Sequence, residues 1–234
     1  KTTFIRQLNA LLLPKKGAGW VDGVDTKITR NHAEIRSRVG MVFQNPDDQI
    51  VGMTVEEDVA FGPENLRLPA EEIKKRVAES LKRIGIADLV LRNTETLSGG
   101  EKRLIAIAGV LAMQPRYIAL DEPTAFLDPA AAGNILDIMG KLHREGIGII
   151  HVTHNMAQAA LAQRMIVMNE GQICLDGPPA LIFRNVEMLQ KINLRLPHLT
   201  QLLIKLKEKG YPARTDIFEV TDAANHIEEL FRRT

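Results

Sequence analysis

The stretch from Arg116 to His154 leaves the chain few choices of fold. "RYIALDE" sets four hydrophobes ahead of two acids and reads as a strand ending at Asp121-Glu122. Asp128 followed by Pro129 is a cap and first-turn pair that opens a helix running to Glu145, with Gly146 behind it. "IGIIHVTH" is the next strand. Upstream, "RVGMVFQ" reads as a buried strand ending at Gln44, and "AGWVDGVD" as a strand and turn. Short apolar runs that alternate with helical patterns imply an α/β fold with a largely parallel sheet.

Two further helices are plain. In "EEIKKRVAESLKRIG", Ile73, Val77, Leu81 and Ile84 make one stripe and Gly85 closes it. In "SGGEKRLIAIAGVLAM", Ser98 is positioned as N-cap and Pro115 lies beyond the end. Residues 67–114 thus hold helices and no strand, and are expected to form an inserted helical subdomain. "RMIVMNEGQICLDG" looks like a hairpin around Asn169-Glu170-Gly171. After Pro178-Pro179 the character changes: Leu199, Leu202, Leu203 and Leu206 mark one helix, and Ile227, Leu230 and Phe231 another, with Thr221 as its expected cap. Residues 186–234 read as a C-terminal appendage.

Bulk properties exclude several classes. A net charge of +1, with no Lys/Arg-rich block, gives no reason to expect nucleic acid as a partner. The longest apolar run, "LIAIAGVLAM", is too short to cross a bilayer. Cys174 is the only cysteine, so no internal disulfide framework is possible, and it reads as a small buried hydrophobe. The six histidines show no metal-ligand spacing, and His32, His143, His151, His198 and His226 read as structural or solvent-exposed.

Chemistry concentrates in a few places. The carboxylates of Asp121 and Glu122 fall at the carboxyl edge of a parallel sheet, where α/β folds bind ligands. One could hold Mg²⁺ through water and the other orient or deprotonate an attacking water. "LSGG" offers a hydroxyl cap and two glycines, Gly99 and Gly100, whose N–H groups can approach a phosphate closely. Gln44 and His154 each end a strand. At the start, "KTTFIRQLNALL" puts Phe4, Leu8, Leu11 and Leu12 on one helical face, with Lys1, Thr2 and Thr3 in the first turn, where backbone N–H groups favour an anion. A lysine and threonine at a helix start form the tail of the phosphate loop G-x-x-x-x-G-K-[ST].

In this order and spacing, these segments resemble the ATP-binding subunits of ABC transporters over residues 1 to about 185. The resemblance implies a P-loop NTPase with a RecA-like parallel core (1–66 and 115–185), the helical signature subdomain (67–114) and the small C-terminal helical appendage (186–234). Lys1-Thr2 would finish Walker A, Gln44 would be the Q-loop, "LSGGE" the signature, "YIALDE" Walker B, "AFLD" the D-loop and His154 the switch histidine. Catalysis would fall to Glu122, His154 and Gln44. ATP would be held by Lys1, Thr2, Thr3, Ser98, Gly99, Gly100 and Asp128, and Mg²⁺ by Thr2, Gln44 and Asp121. Two such subunits would meet head to tail and dock on integral membrane subunits, at the cytoplasmic face of the membrane.

"VGMVFQNPDDQIVGMTVEEDVAFGPEN" and "SGGEKRLIAIAGVLAMQP" look like the energy-coupling-factor importers, which take up cobalt, nickel or vitamins. The alternatives are another ABC importer, or an ABC ATPase acting on nucleic acid. The short interval from Lys1 to Ser98, without sustained heptads, argues against the coiled-coil DNA-repair type. A single signature argues against the translation-factor type with two cassettes. The signature carries Glu101 where the family most often has glutamine. The phosphate-loop glycines and the strand bearing the adenine-stacking aromatic are expected upstream of Lys1 in a longer protein.

Overall fold

A computed structural model describes residues 1–232. Its elements run α1 (Thr2–Leu8), β1 (Trp20–Val21), β2 (Val24–Asp25), α2 (His32–Arg38), β3 (Val39–Val42), α3 (Val55–Asn65), α4 (Ala70–Ile84), α5 (Gly99–Ala112), β4 (Tyr117–Asp121), α6 (Pro129–Arg144), β5 (Gly148–Val152), α7 (Met156–Ala159), β6 (Met165–Asn169), β7 (Gln172–Gly177), α8 (Pro179–Ile182), α9 (Val186–Lys191), α10 (His198–Glu208) and α11 (Val220–Arg232). They fall into two compact units, Lys1–Val152 and the residues from Thr153 onward.

The first unit is built on a parallel sheet of order β3-β4-β5, with Val39 opposite Tyr117 and Asp121 opposite Val152. Ile118, Ala119 and Leu120 on β4 are buried on both faces, the continuous apolar run expected of a central parallel strand. On one side Ile118 and Leu120 join Ile105, Ile107 and Leu111 of α5 and Ile135 and Leu142 of α6 in the main core, while Ala119 packs with Ile35 and Val39. Each such side chain contributes about 1.5–3 kcal/mol when fully removed from water. Helix α5 lies so close to β3 that a Cβ on Gly40 would sit 2.2 Å from Val110 Cγ1, so only glycine fits there.

Helices α3, α4 and α5 pack on one another. Helix α4 ends where expected, on Gly85 in the left-handed region (φ 86). Helix α3 precedes the segment expected to be helical, and its signal was present: Thr54 and Glu57 form a reciprocal capping box. The first helix corrects the reading of its apolar stripe. α1 stops at Leu8 because the chain turns at Asn9 and Ala10 takes φ 55. Leu11 and Leu12 therefore lie outside the helix and exposed, and the buried residue of α1 is Ile5, not Phe4.

In the second unit, β6 and β7 form the expected antiparallel hairpin, closing at Asn169 opposite Gln172. Met156, Val167, Ile182, Phe183 and Leu189 form one apolar cluster there, with Phe218 edge-on to Phe183 at 5.5 Å. Half of the leucine stripe on α10 is covered within its own unit: Leu199 and Leu203 pack with Ile217, Ala223 and Ile227. Leu202 stays exposed. Thr221 does not cap α11, which already begins at Val220. Cys174 is half-buried rather than buried. Among the described residues no helix is long and apolar enough to cross a membrane, and no group of His, Cys, Asp and Glu could hold a metal ion by itself.

Candidate functional site

The site grows from the ends of β3 and β4. β3 runs out at Val42, and Gln44 follows two residues later, exposed. The loop after it is closed by Gln49, which accepts from the Phe43 N–H (3.0 Å) and donates to the Met41 carbonyl (3.2 Å). β4 ends on Asp121, a carboxylate only 2% exposed. Its Oδ1 is buried with no hydrogen-bond partner among the described residues. A carboxylate oxygen in that state is costly unless a donor or a cation meets it.

Glu122, directly after, has φ 47, a left-handed conformation that costs a non-glycine residue of order 1–3 kcal/mol. It is held by two backbone bonds: its N–H donates to the Val152 carbonyl (2.9 Å), and its own carbonyl accepts from the Ala125 N–H (3.0 Å). The turn then runs through Phe126, also at positive φ (63) and almost wholly exposed, to Asp128. Asp128 caps α6, its Oδ1 accepting from the N–H groups of Ala130 (2.9 Å) and Ala131 (3.0 Å).

Helix α5 brings the glycines. Ser98 is its N-cap in a reciprocal box with Glu101: the Ser98 N–H and hydroxyl both donate to Glu101 Oε2 at 2.8 Å, and the Glu101 N–H donates to Ser98 Oγ at 3.3 Å. The Ser98 backbone donor, and then its hydroxyl, hold the Glu101 carboxyl below the usual carboxylate range. Glutamate is thus a working part of the cap. Gly99 is exposed, and nothing among the described residues outside its own helix backbone and neighbours lies within 4 Å of where its Cβ would be.

A cleft of about 430 Å³ joins these pieces, lined by Thr2, Gln44, Gly99 and Asp121 together with Phe43, Arg103 and the turn from Ala125 to Leu127. Of the residues expected to act, Lys1, Thr3, Ser98, Gly100, Glu122 and Asp128 lie in the same unit without lining that space, each of them next in sequence to a lining residue. His154 is exposed and belongs to the second unit. Two residues of the first unit were not singled out by sequence. Arg103 lies buried on the apolar face of α5, and a lone arginine among Ile107, Val110 and Leu111 at helical spacing was the available signal.

The other is His151, opposite Leu120 on β5, with its Nε2 buried and unpartnered among the described residues. Burial pushes its pKa down to about 4, against the opposing pull of the Glu122 charge. The native imidazole stays neutral to about pH 4, whereas the unfolded one protonates near 6.5. Its contribution to stability is therefore intact above pH 6.5 and is lost as pH falls from there toward 4. At pH 5 the loss is about 2 kcal/mol relative to pH 7.5. Urea unfolding at both pH values should show that His151→Gln removes this difference.

The comparisons with known proteins identify the family. The ABC transporter family matches residues 1–125. The cobalt import ATP-binding protein CbiO of Syntrophus aciditrophicus (strain SB) is 51% identical over 97% of this chain and 81% of its own length. The energy-coupling factor transporter ATP-binding protein EcfA1 of Clostridium perfringens is 45% identical over 98% of this chain and 82% of its own length. Among solved structures, cbiO1 from Clostridium perfringens, part of the ABC transporter complex cbiONQ, superposes with a TM-score of 0.72 at 39% identity, covering 87% of this chain and 82% of that one. The ATP-binding cassette MJ0796, in a dimeric post-hydrolysis state bound to ADP and Pi, gives 0.68 at 27% identity, covering 76% and 80%. A parallel-sheet cassette whose strand-end Asp121 shares a cleft with the start of a serine-capped helix, with relatives this similar over nearly its whole length, belongs to the ATP-binding proteins of ABC transporters, in the group of the CbiO and EcfA energy-coupling-factor ATPases.

Proposed function

We propose that this chain is the ATP-hydrolysing subunit of an energy-coupling-factor importer, working as one of two ATPase subunits beneath integral membrane subunits at the cytoplasmic face of the membrane. The observation that carries the site is Asp121: a carboxylate oxygen buried without a partner at the edge of a cleft that Thr2 and Gln44 also line. That oxygen fits a hard cation. Thr2, Gln44 and Asp121 would hold Mg²⁺, whose chemistry is to neutralise the charge of the β- and γ-phosphates.

The remaining roles belong to the chain's own groups. Lys1 and the N–H groups of Thr2 and Thr3 bind phosphate oxygens at the helix start. Glu122 accepts a proton from, or orients, the attacking water. Gln44 helps position that water, and His154 completes the catalytic set. Ser98, Gly99 and Gly100, with Asp128, complete the nucleotide site across a head-to-tail pair, the signature of one subunit reaching the phosphates of the other. The exposed Gly99, with open space where a side chain would be, supports an approach by something outside the chain.

The cargo is a transition-metal ion such as cobalt or nickel, or a vitamin. The relatives named for cobalt import and for energy coupling support that range. Coexpression of the full-length protein with the integral membrane subunits of an energy-coupling-factor importer from the same organism tests the reading. A detergent-stable complex whose cargo uptake requires ATP is expected. Recovery with nucleic acid, and without any membrane subunit, would overturn it.

A further inference from the structure

Arg103 is 2% exposed, yet its guanidinium does not point into apolar space. One terminal nitrogen donates to the Phe43 carbonyl and the other to the Gln44 carbonyl. A planar fork that meets two successive carbonyls fixes the orientation of the backbone between them, which a single-point donor cannot do. Its Nε is buried without a partner among the described residues, a cost the residue bears at this position. One residue earlier, Lys102 reaches the same loop, its Nζ 2.6 Å from Asp47 Oδ1. Arg6 of α1 lies over the Phe43 ring, 5.8 Å from its centroid.

The far end of this segment is tied separately. Asp58 of α3 accepts from the N–H groups of Val51 (2.7 Å) and Gly52 (3.0 Å). Gln44 itself is exposed, so its backbone anchor is what limits where its amide can go.

We infer that Arg103 is a positioning residue for Gln44, fixing the backbone from which the Gln44 amide reaches the cleft and tying that backbone to the first turns of the helix that carries Ser98 and Gly99. The inference rests on the proposed role of Gln44. In this role Arg103 acts through Gln44 and not on the nucleotide itself. It acts because loop and helix start cannot move apart while the fork is closed, so a change at Gln44 is felt one turn away at Gly99.

The test compares Arg103→Lys in two backgrounds of the full-length ATPase, with turnover counted per nucleotide-binding site and folding checked by thermal unfolding. Lysine keeps the charge but cannot span both carbonyls. With Gln44 present, kcat should fall about tenfold while the KM for ATP changes by less than about twofold. In a Gln44→Ala background, the same change should cost less than about twofold further, because the residue being positioned is already gone. An equal loss in both backgrounds, or unchanged turnover with Gln44 present, overturns the inference. A Gln44→Ala chain with unchanged turnover overturns the site assignment itself, and the inference with it. Should Arg103→Lys not fold, Arg103→Gln carries the same comparison with the same readings.

Discussion

Replacing Glu122 with glutamine is expected to keep ATP binding and cut hydrolysis by roughly 10²–10⁴-fold, about 3–5 kcal/mol of barrier. Two of the bonds that hold this residue in place are made by its backbone, to Val152 and Ala125, and an isosteric side chain leaves both intact. Only the carboxylate's basicity is lost. ATP should then accumulate in an uncleaved state that favours association of two subunits. Glu122→Gly sharpens the case. At φ 47 glycine is relieved of strain that glutamate bears, so this variant should unfold at a slightly higher temperature while turning over as poorly as the glutamine variant. Stability and activity moving in opposite directions would mark the strain as serving the site. Near-normal turnover by either variant would sink the assignment of Glu122.

Much of this site could be read from the chain because its parts are local. Asp121 and Glu122 are carried by an apolar run that must end at a sheet edge. Ser98 is announced by a hydroxyl three residues ahead of an acid, and the structure closes the box between them. Asp128 caps the helix that its neighbour Pro129 suggested. What escaped reading depends on distance along the chain. Arg103 meets Phe43 and Gln44, some sixty residues away, and no periodicity signals such a bond. His151 reads as structural or solvent-exposed, and only the burial of its Nε2 decides for the first.

The first helix failed for a different reason. Leu11 and Leu12 continue the helical period, but period alone carries no information about where the backbone turns. Ala10 at φ 55 ends the register before they are reached. The start of α11 was misplaced in a similar way, because a threonine ahead of an apolar stripe can sit within the first turn as readily as before it.

Mixing two inactive variants should restore activity if the site is shared between subunits. Lys1→Ala removes a charge that neutralises phosphate, and Ser98→Arg fills the glycine-lined approach; each should lower turnover at least about a hundredfold in a symmetrical pair, because both sites are damaged alike. A mixed pair differs. One of its two sites takes both defects, and the other takes a wild-type Lys1 from one subunit and a wild-type Ser98 from its partner. If subunits exchange at random, half of the pairs are mixed and each holds one sound site, so about a quarter of wild-type turnover should return when sites work independently. Less should return when both sites must fire together, but still more than either variant gives alone. Ser98→Arg is a severe change, so its own fold must be shown first; the Ser98–Glu101 box lies at the solvent-facing end of α5, and its loss should cost about 0.5–2 kcal/mol, not the unit's core. The open space over Gly99 leaves room for a partner's nucleotide, since nothing among the described residues beyond its own helix backbone and neighbours lies within 4 Å of where its Cβ would be. No recovery at any mixing ratio, with mixed pairs demonstrated by differential tagging, would show that Lys1 and Ser98 do not meet across a pair, and the signature helix would then have to act within its own subunit.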